Sequence, residues 1–357
     1  MSHLEIRSIP TGGLTRLVAD LSPIRGYSKA DRPKVEQYIR WWLFENPSGE
    51  GVQAAMYDRD TLAGIACITP KVLRVNGQPA CVAEIGGTET SKAYQGRGIF
   101  SSLVQFLLGE AERRGWTAVY GTPNEASGRI YLGKLGFTAL FHWTRSIRPV
   151  NWSGVAYSFA TRRPNVATPV LAPILGGVGA AAGAAIDIAA RALATPGTVT
   201  VTDRPAEGVA GLVEGVGPAV SVHRTASYLA WRYARPDRSY RHLHLRDASG
   251  ELRGWAAYAH VDEGQGRSRV LVGDYWVRPW TRGWMNALTL ALRAVAKRSG
   301  LSEIYASSRS RLHPRPGATL GFVNATSSMP VILKTFARGG GVPLVGWDYR
   351  DSDADMF

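Results

Sequence analysis

Over the first 150 residues the apolar positions switch between helical and strand spacing. Residues 32–45 (RPKVEQYIRWWLFE) have helical spacing and stop at the breaking run Asn46-Pro47-Ser48-Gly49. Residues 52–58 and 62–69 alternate as two strands around a turn at Asp58–Asp60. Residues 71–75 and 79–90 predict a further hairpin, its tight turn marked by Asn76-Gly77. A helix is predicted over 99–114, with Ile99, Leu103, Phe106, Leu107 and Ala111 on one face and Gly115 closing it. A strand at 117–122, a short helix at 126–135 and a strand pair near 138–148 complete this half.

The second half repeats that order. Strands are predicted at 198–203, 240–246, 252–261, 269–277, 301–307 and 328–335, with helices at 225–234 and 282–299 and a short one before Gly321-Phe322. A recurring order of elements with almost no shared residues suggests a duplicated architecture. Pro, Gly, Ala and Thr crowd residues 150–197, as at a domain junction. The expected division is 1–149, a linker with an apolar helix over 150–197, and 198–357. Within the linker, residues 172–193 are mostly apolar but carry Asp187 and Arg191, and the uncharged part, 172–186, is short for a bilayer. It is expected to be an inter-domain helix, with a lid or membrane-surface role as the alternative and no transmembrane segment.

Composition narrows the function. The chain has 357 residues, 45% of them hydrophobic, enough for two buried cores. Its formal charge is +14, from 42 Lys+Arg against 28 Asp+Glu, which favours anionic partners. The cations are spread singly rather than run together, so specific nucleic-acid binding is not expected. Cys67 and Cys81 stand in no metal-ligand spacing, so no metal is expected. Both fall in apolar strands and are expected to be buried free thiols in a reducing compartment. The N-terminus has no basic-then-apolar signal pattern, which adds to the expectation of a cytoplasmic protein.

The chemistry concentrates at VAEIGGTETSKAYQGRGIF, residues 82–100, where a strand meets a Gly-rich turn and then a helix. Gly96 and Gly98 let the backbone aim its N–H groups at one point. The helix N-terminus adds free N–H groups and the positive end of its dipole, and Gln95 and Arg97 add side-chain donors. Such a turn suits a pyrophosphate, although a plain strand-to-helix connection has the same local look. The Gly-Lys-Ser/Thr ending of a P-loop is absent, as is the Rossmann spacing.

With Gln95-Gly96-Arg97-Gly98-Ile99-Phe100, and Asn124 followed by a short helix ending in Leu135-Gly136-Phe137, the chain resembles the GCN5-related N-acetyltransferase (GNAT) superfamily. The first stretch follows the family's Q/R-x-x-G-x-G/A motif except at Phe100, where the family has a small residue. The resemblance is close over 35–148 and covers the second half in outline. It implies an α/β fold of two GNAT-like domains, each a mixed, mostly antiparallel sheet flanked by helices, the second degenerate. It implies an acyltransferase using acetyl-CoA or another acyl-CoA as co-substrate, by direct transfer to an amine of a sugar or small metabolite.

Carried over residue by residue, the resemblance implies that the amides of Gly96, Gly98, Ile99, Phe100 and Ser101 hold the pyrophosphate. Thr88, Glu89 and Thr90 would pair with pantetheine, and Asn124 and Tyr131 would lie against the cofactor, Asn124 capping its helix as well. Only a neutral amine attacks a thioester, so a carboxylate in the cleft is useful as base. Glu84 is the first candidate. Glu89 is the second, on the opposite strand face by simple alternation. Tyr131 is the candidate acid for the leaving thiolate, although the short helix has one residue more than the common pattern. His142, His244 and the terminal carboxylate of Phe357 are weaker candidates. Trp41, Trp42 and Asn46 would line the acceptor entrance or pack in the core.

In the second half, Asp274–Trp284 sets tryptophans where the glycines would fall, so no second cofactor site is expected. Residues Tyr228–Tyr233 form an aromatic, basic stripe that suits a core or an acceptor-binding face. Three alternatives remain open from sequence: transfer of a long acyl chain, a catalytically silent CoA-binding protein and, more distantly, a nucleic-acid-binding module.

Overall fold

The computed structural model describes residues 3–150, 168–214, 220–262, 264, 268–309, 321–336, 342–350 and 353. The first half runs β1 (Leu4–Ile9), α1 (Leu14–Arg25), α2 (Arg32–Phe44), β2 (Val52–Asp58), β3 (Thr61–Val75), β4 (Gln78–Thr90), α3 (Ile99–Arg113), β5 (Ala118–Gly121), α4 (Glu125–Lys134), β6 (Thr138–Phe141) and β7 (Thr144–Pro149). Then come α5 (Thr168–Ala192), β8 (Thr198–Thr202), α6 (Val209–Glu214), β9 (Val220–Val222), α7 (Ala226–Tyr233), β10 (Tyr240–Arg246), β11 (Leu252–Asp262) and β12 (Ser268–Val277). The chain continues with α8 (Arg282–Arg298), β13 (Glu303–Arg309), β14 (Val323–Thr326), β15 (Val331–Thr335) and β16 (Trp347–Arg350).

Two mixed sheets with the same plan result. In the first, β2, β3 and β4 are antiparallel, and β4 pairs in parallel with β5 after the α3 crossover. In the second, β10, β11 and β12 are antiparallel, and β12 pairs in parallel with β13 after α8. Helix α3 covers one face of the first sheet with Ile99, Leu103, Val104, Leu107, Leu108 and Ala111. Helices α1 and α2 cover the other face, where Leu14, Leu17, Leu21, Trp41 and Leu43 are buried. Helix α8 does for the second sheet what α3 does for the first, through Trp284, Met285, Leu288 and Leu292.

The predicted strands and helices around the parallel pairs lie where their periodicity put them; the pairing of the last strands does not. The expected hairpin near 138–148 does not form. β6 stays in the first sheet, whereas β7 crosses into the second and pairs with β13 and β14. In exchange, β15 from the second half inserts between β5 and β6. The two crossings lie side by side and are tied at Ser327. Its N–H donates to Trp143 O at 2.9 Å and its O meets His142 Nδ1 at 2.8 Å. His142 is therefore part of the crossing. β9 and β16 pair with each other and join the sheets, β9 to the far end of β3 and β16 to β13.

The strands expected at 62–69 and 71–75 are one strand, β3. Pro70 is accommodated because β2 pairs only up to Ile68 and β9 only from Leu73, leaving no ladder partner on one side of that stretch. Cys67 is buried, but Cys81 is exposed, a correction to the expectation of two buried thiols. In α5, Asp187 is buried and ion-paired with Arg148 of β7 and Arg293 of α8. That buried triad fixes the C-terminal part of the helix to β7 and α8, both part of the second sheet's unit. Among the described residues no helix is long and apolar enough to cross a membrane, and no group of side chains has metal-ligand geometry. The expected short helix before Gly321 and the terminal Phe357 lie outside the described residues.

The halves are also joined by a pair of tryptophans. Trp41 of α2 and Trp231 of α7 stack at 4.8 Å and 17°. Each indole N–H donates to the other residue's carbonyl, at 2.9 and 3.0 Å. The aromatic stripe at Tyr228–Tyr233 is accordingly core: Tyr228, Leu229, Trp231, Arg232 and Tyr233 are all buried.

Candidate active site

β4 and β5 pair through Ala83–Val119, Glu84–Tyr120 and Ile85–Gly121, and then separate while β4 runs on to Thr90. A wedge opens where two parallel strands part. A bulge in β4 shapes its upper wall. Opposite β3, Gly86 pairs with Cys67 and Glu89 with Ile65, so β4 gains a residue there. Gly87 sits in the bulge at φ +57°, and a Cβ on it would lie 2.8 Å from Cys67 Sγ and 3.1 Å from the Trp42 ring. Only glycine fits both the backbone angle and the space.

This bulge corrects one expectation. Strict alternation would send Glu84 and Glu89 to opposite faces. Their β3 partners are Thr69 and Ile65, which share a face with Cys67 between them, so both glutamates face the same side. Glu89 is ion-paired with Arg25 at 3.3 Å and lines the outer cleft. Glu84 is buried deeper, its Oε2 3.5 Å from both Lys71 Nζ and the Tyr120 hydroxyl.

After β4 the chain turns through Gly96 (φ +78°) and Gly98 (φ +79°) into α3. No atom stands within 4 Å of a Cβ built on either glycine, so the need is conformational and the space above is open. Gly98 is the N-cap and has no side chain to cap the helix. The first bond within the helix is Ser102 N to Gly98 O at 3.0 Å. The N–H groups of Ile99, Phe100 and Ser101 are therefore turned toward the opening without intrahelical acceptors. Phe100 does not obstruct them: its ring turns inward and packs edge-on against Tyr131 at 5.1 Å. Gln95 Nε2 reaches back to Thr90 O at 3.4 Å, and Arg97 lies over the Tyr94 ring.

Two adjoining spaces result. The outer cleft, about 460 Å³, is lined by Thr88, Glu89, Thr90, Gln95, Gly96, Gly98 and the α3 N-terminus on one side, and by Asn124, Ser127, Ile130 and Lys134 on the other. The inner chamber, about 250 Å³, is lined by Arg25, Trp42, Glu84, the 85–88 backbone, Gly121–Asn124, Ser127 and Tyr131. Thr88, Asn124 and Ser127 belong to both, so the spaces meet where the strands part. Asn124 caps α4, accepting from Ser127 N at 2.9 Å. Burial, with Cys67 adding to it, pushes the Tyr131 phenol above its ordinary value, so the group keeps its proton at neutral pH.

Of the residues expected at the acceptor entrance, Trp42 lines the chamber, but Trp41 and Asn46 lie outside both spaces. Trp41 is consumed by the Trp231 stack, and Asn46 holds a turn, donating to Pro70 O at 2.9 Å and accepting from Ser48 N. His244 is buried in β10 and accepts from Ala206 N. Sequence reasoning missed Arg25, Lys71 and Tyr120. Lys71 had a signal, the one charge in the otherwise uncharged run Thr61–Leu73, and its side chain is wholly buried beside Glu84.

In the second half the turn before α8 lacks glycine. Thr281 is the N-cap, and its Oγ1 accepts from Trp284 N at 3.3 Å, using one of the N–H groups left free in α3.

A family model described as an acetyltransferase (GNAT) domain matches residues 26–139. That span takes in α2 to α4 and, apart from Arg25, the lining of both spaces just described. No curated protein matches the sequence at a significant level. Solved structures extend the likeness to the whole fold. A GCN5-related N-acetyltransferase from Anabaena variabilis superposes with a TM-score of 0.60 at 13% identity, over 93% of this chain and 73% of that one. Saccharomyces cerevisiae N-myristoyltransferase with bound myristoyl-CoA gives 0.58 at 12%, over 100% and 86%. A tandem GNAT protein from the clavulanic acid biosynthesis pathway gives 0.57 at 13%, over 95% and 100%. At these identities the likeness is one of fold: two GNAT-like units in one chain, with the family match falling on the first.

Proposed function

We propose that the protein is an acyl-CoA-dependent N-acyltransferase whose single cofactor site lies between β4 and β5, and that it transfers a short acyl group directly to an amine of a small metabolite or sugar. The observation that carries this reading is the junction of the two spaces. An anion cradle lies at the outer end, and a buried carboxylate and a protonated phenol lie at the inner end. The CoA diphosphate would rest on the amides of Ile99, Phe100 and Ser101, with Gln95 and Arg97 beside it. The pantetheine arm would follow the edge of β4 at Thr88–Thr90, where β5 no longer pairs. The thioester would then sit at the mouth of the chamber, near Asn124 and Tyr131.

The amine nitrogen attacks the thioester carbonyl carbon, and the carbon–sulfur bond breaks as the electron pair goes to sulfur. Tyr131 gives its phenolic proton to the departing thiolate. The proton lost by the amine goes to Glu84, directly or through one water. Lys71 compensates the buried charge of Glu84, and Tyr120 orients it. Glu89 is held by Arg25 at the outer cleft and serves binding there. The chamber must hold both the acyl group and the acceptor amine, and its small volume, closed by Trp42 and Tyr131, favours a short acyl group over a long chain.

Intact-mass analysis after incubation with acetyl-CoA or decanoyl-CoA and a panel of amines tests the reading. A mass gain of one acetyl group on an amine, with free CoA released, is expected. Turnover with decanoyl-CoA alone would overturn the short-chain assignment. No turnover with either, alongside tight CoA binding, would favour a silent binding protein.

A further inference from the structure

Among the residues that line the inner chamber only two are charged, Glu84 and Arg25. Lys71, which compensates Glu84, is wholly buried and is not part of that lining. The cation of the chamber is therefore Arg25, the last residue of α1. Gly26 follows it in the left-handed region at φ +75°, and the N–H groups of Gly26 and Tyr27 both donate to Ser22 O, at 2.8 and 3.0 Å. These bonds close the helix and fix the root of the Arg25 side chain.

The guanidinium itself is loosely held. It is ion-paired with Glu89, Nε to Oε2 at 3.3 Å, and its Nη1 donates to the Tyr27 hydroxyl at 3.4 Å. A guanidinium has five N–H donors, so most of them have no acceptor among the described residues. The side chain is 27% exposed, and the space it borders is the chamber.

Arg25 also stands on the side of the wedge away from the cradle. Glu84 and Glu89 lie across from Thr69 and Ile65, on the face of the first sheet that α1 and α2 cover. Helix α3, with the anion cradle at its N-terminus, covers the opposite face. Arg25 lines the chamber and not the outer cleft. A cofactor seated on α3 leaves Arg25 to whatever enters from the α1 and α2 side. One guanidinium that already shares charge with Glu89 balances a single negative charge rather than a dianion, and a carboxylate matches its planar fork. We propose that the acceptor is a small amino acid, its amine directed to Glu84 and its carboxylate held by Arg25. The lining between the two is uncharged, so an acceptor with both groups leaves no charge unpaired in the chamber. The inference rests on the acyltransferase reading of this site and narrows its acceptor.

The test uses the full-length chain with acetyl-CoA and three pairs of acceptors: glycine, β-alanine and 4-aminobutyrate, each against its amide. Rates are compared per neutral amine, because the amide lowers the basicity of a nearby amine. For at least one length the acid should exceed its amide at least about tenfold in kcat/KM, mostly through KM. Arg25→Met should bring that ratio to about one while changing kcat/KM of the amide less than about threefold. Equal rates for acid and amide at every length in wild type overturn the proposal, as does an equal loss on both in Arg25→Met. Acetylation of glucosamine with none of the three acids overturns it too, and leaves the acyltransferase reading standing. If no amine is acetylated at all, that reading fails, and calorimetry on the CoA-bound chain decides the inference. Tighter binding of an acid than of its amide supports it, and equal or no binding of all three pairs overturns it. The wild-type ratio is decisive even if Arg25→Met does not fold.

Discussion

Replacing Gly87 with alanine should damage this protein more than replacing any other glycine of the site. At φ +57° an L-residue pays about 1 kcal/mol relative to glycine. The new methyl would also stand 2.8 Å from Cys67 Sγ and 3.1 and 3.2 Å from two atoms of the Trp42 ring. All three are buried, so the core must shift, which costs about 1–3 kcal/mol. The sum is about 2–4 kcal/mol, a large share of the roughly 5–15 kcal/mol stability of a typical domain. Gly96→Ala is the internal control. Its φ is also positive, but nothing lies within 4 Å of the added methyl, so only the backbone cost of about 1 kcal/mol applies. Equilibrium urea unfolding of both variants measures the difference. Combining Gly87→Ala with Cys67→Ala, which removes the nearest contact, should restore about 1 kcal/mol in a double-mutant cycle. Equal losses for Gly87→Ala and Gly96→Ala, or no coupling to Cys67, would refute the bulge as the reason for that glycine.

Tyr131→Phe should lower kcat by about 10²–10³ with KM for acyl-CoA nearly unchanged, because in the proposed mechanism the lost group protonates the leaving thiolate; a change confined to KM would remove it from catalysis. Lys71→Met strands the Glu84 charge in the interior and should cost about 3–5 kcal/mol in urea unfolding, most of it regained in Lys71→Met/Glu84→Leu. Burial raises the Asp353 carboxyl to about 6, in a buried group where Arg224 and Arg350 face three carboxylates, Asp274, Asp348 and Asp353. The folded chain therefore holds a proton that an unfolded aspartate gives up near 3.9. That stabilisation is full below about pH 4 and is lost as pH rises through about 6. Asp353→Asn should fare better relative to wild type at pH 8 than at pH 4, as seen in stability measured across that range.

Much of this was legible in the sequence because the site is built locally. Strand, Gly-rich turn and amphipathic helix are consecutive in residues 82–114, and their periodicities dictate the wedge and its cradle. The Asn124 cap and the Leu-Gly-Phe ending are local too. What was not legible is set by distance or by a single inserted residue. The exchange of β7 and β15 turns on a connector, His142–Trp143, short enough for a hairpin, and nothing near it shows that Ser327 waits on the other side. The face reversal of Glu89 depends on the bulge, which strand alternation cannot reveal. β1 and α1 were missed because LEIRSI is only half-buried and α1 contains Pro23, and with α1 went Arg25. Trp41 could line the acceptor entrance or pack in the core by sequence, and its partner Trp231, 190 residues away, decides for the core.

Calorimetric titration of CoA into wild type, Gly98→Glu and Gly109→Glu probes the cradle itself. Gly109 lies exposed on α3 with open space around it, so its variant adds the same charge away from the turn. Wild type and Gly109→Glu should bind one CoA per chain with similar affinity. Gly98→Glu should bind at least about tenfold more weakly, as a carboxylate is set against the diphosphate. Absence of heat with wild type, or equal affinity in all three, would contradict the placement of the cofactor on the N-terminus of α3.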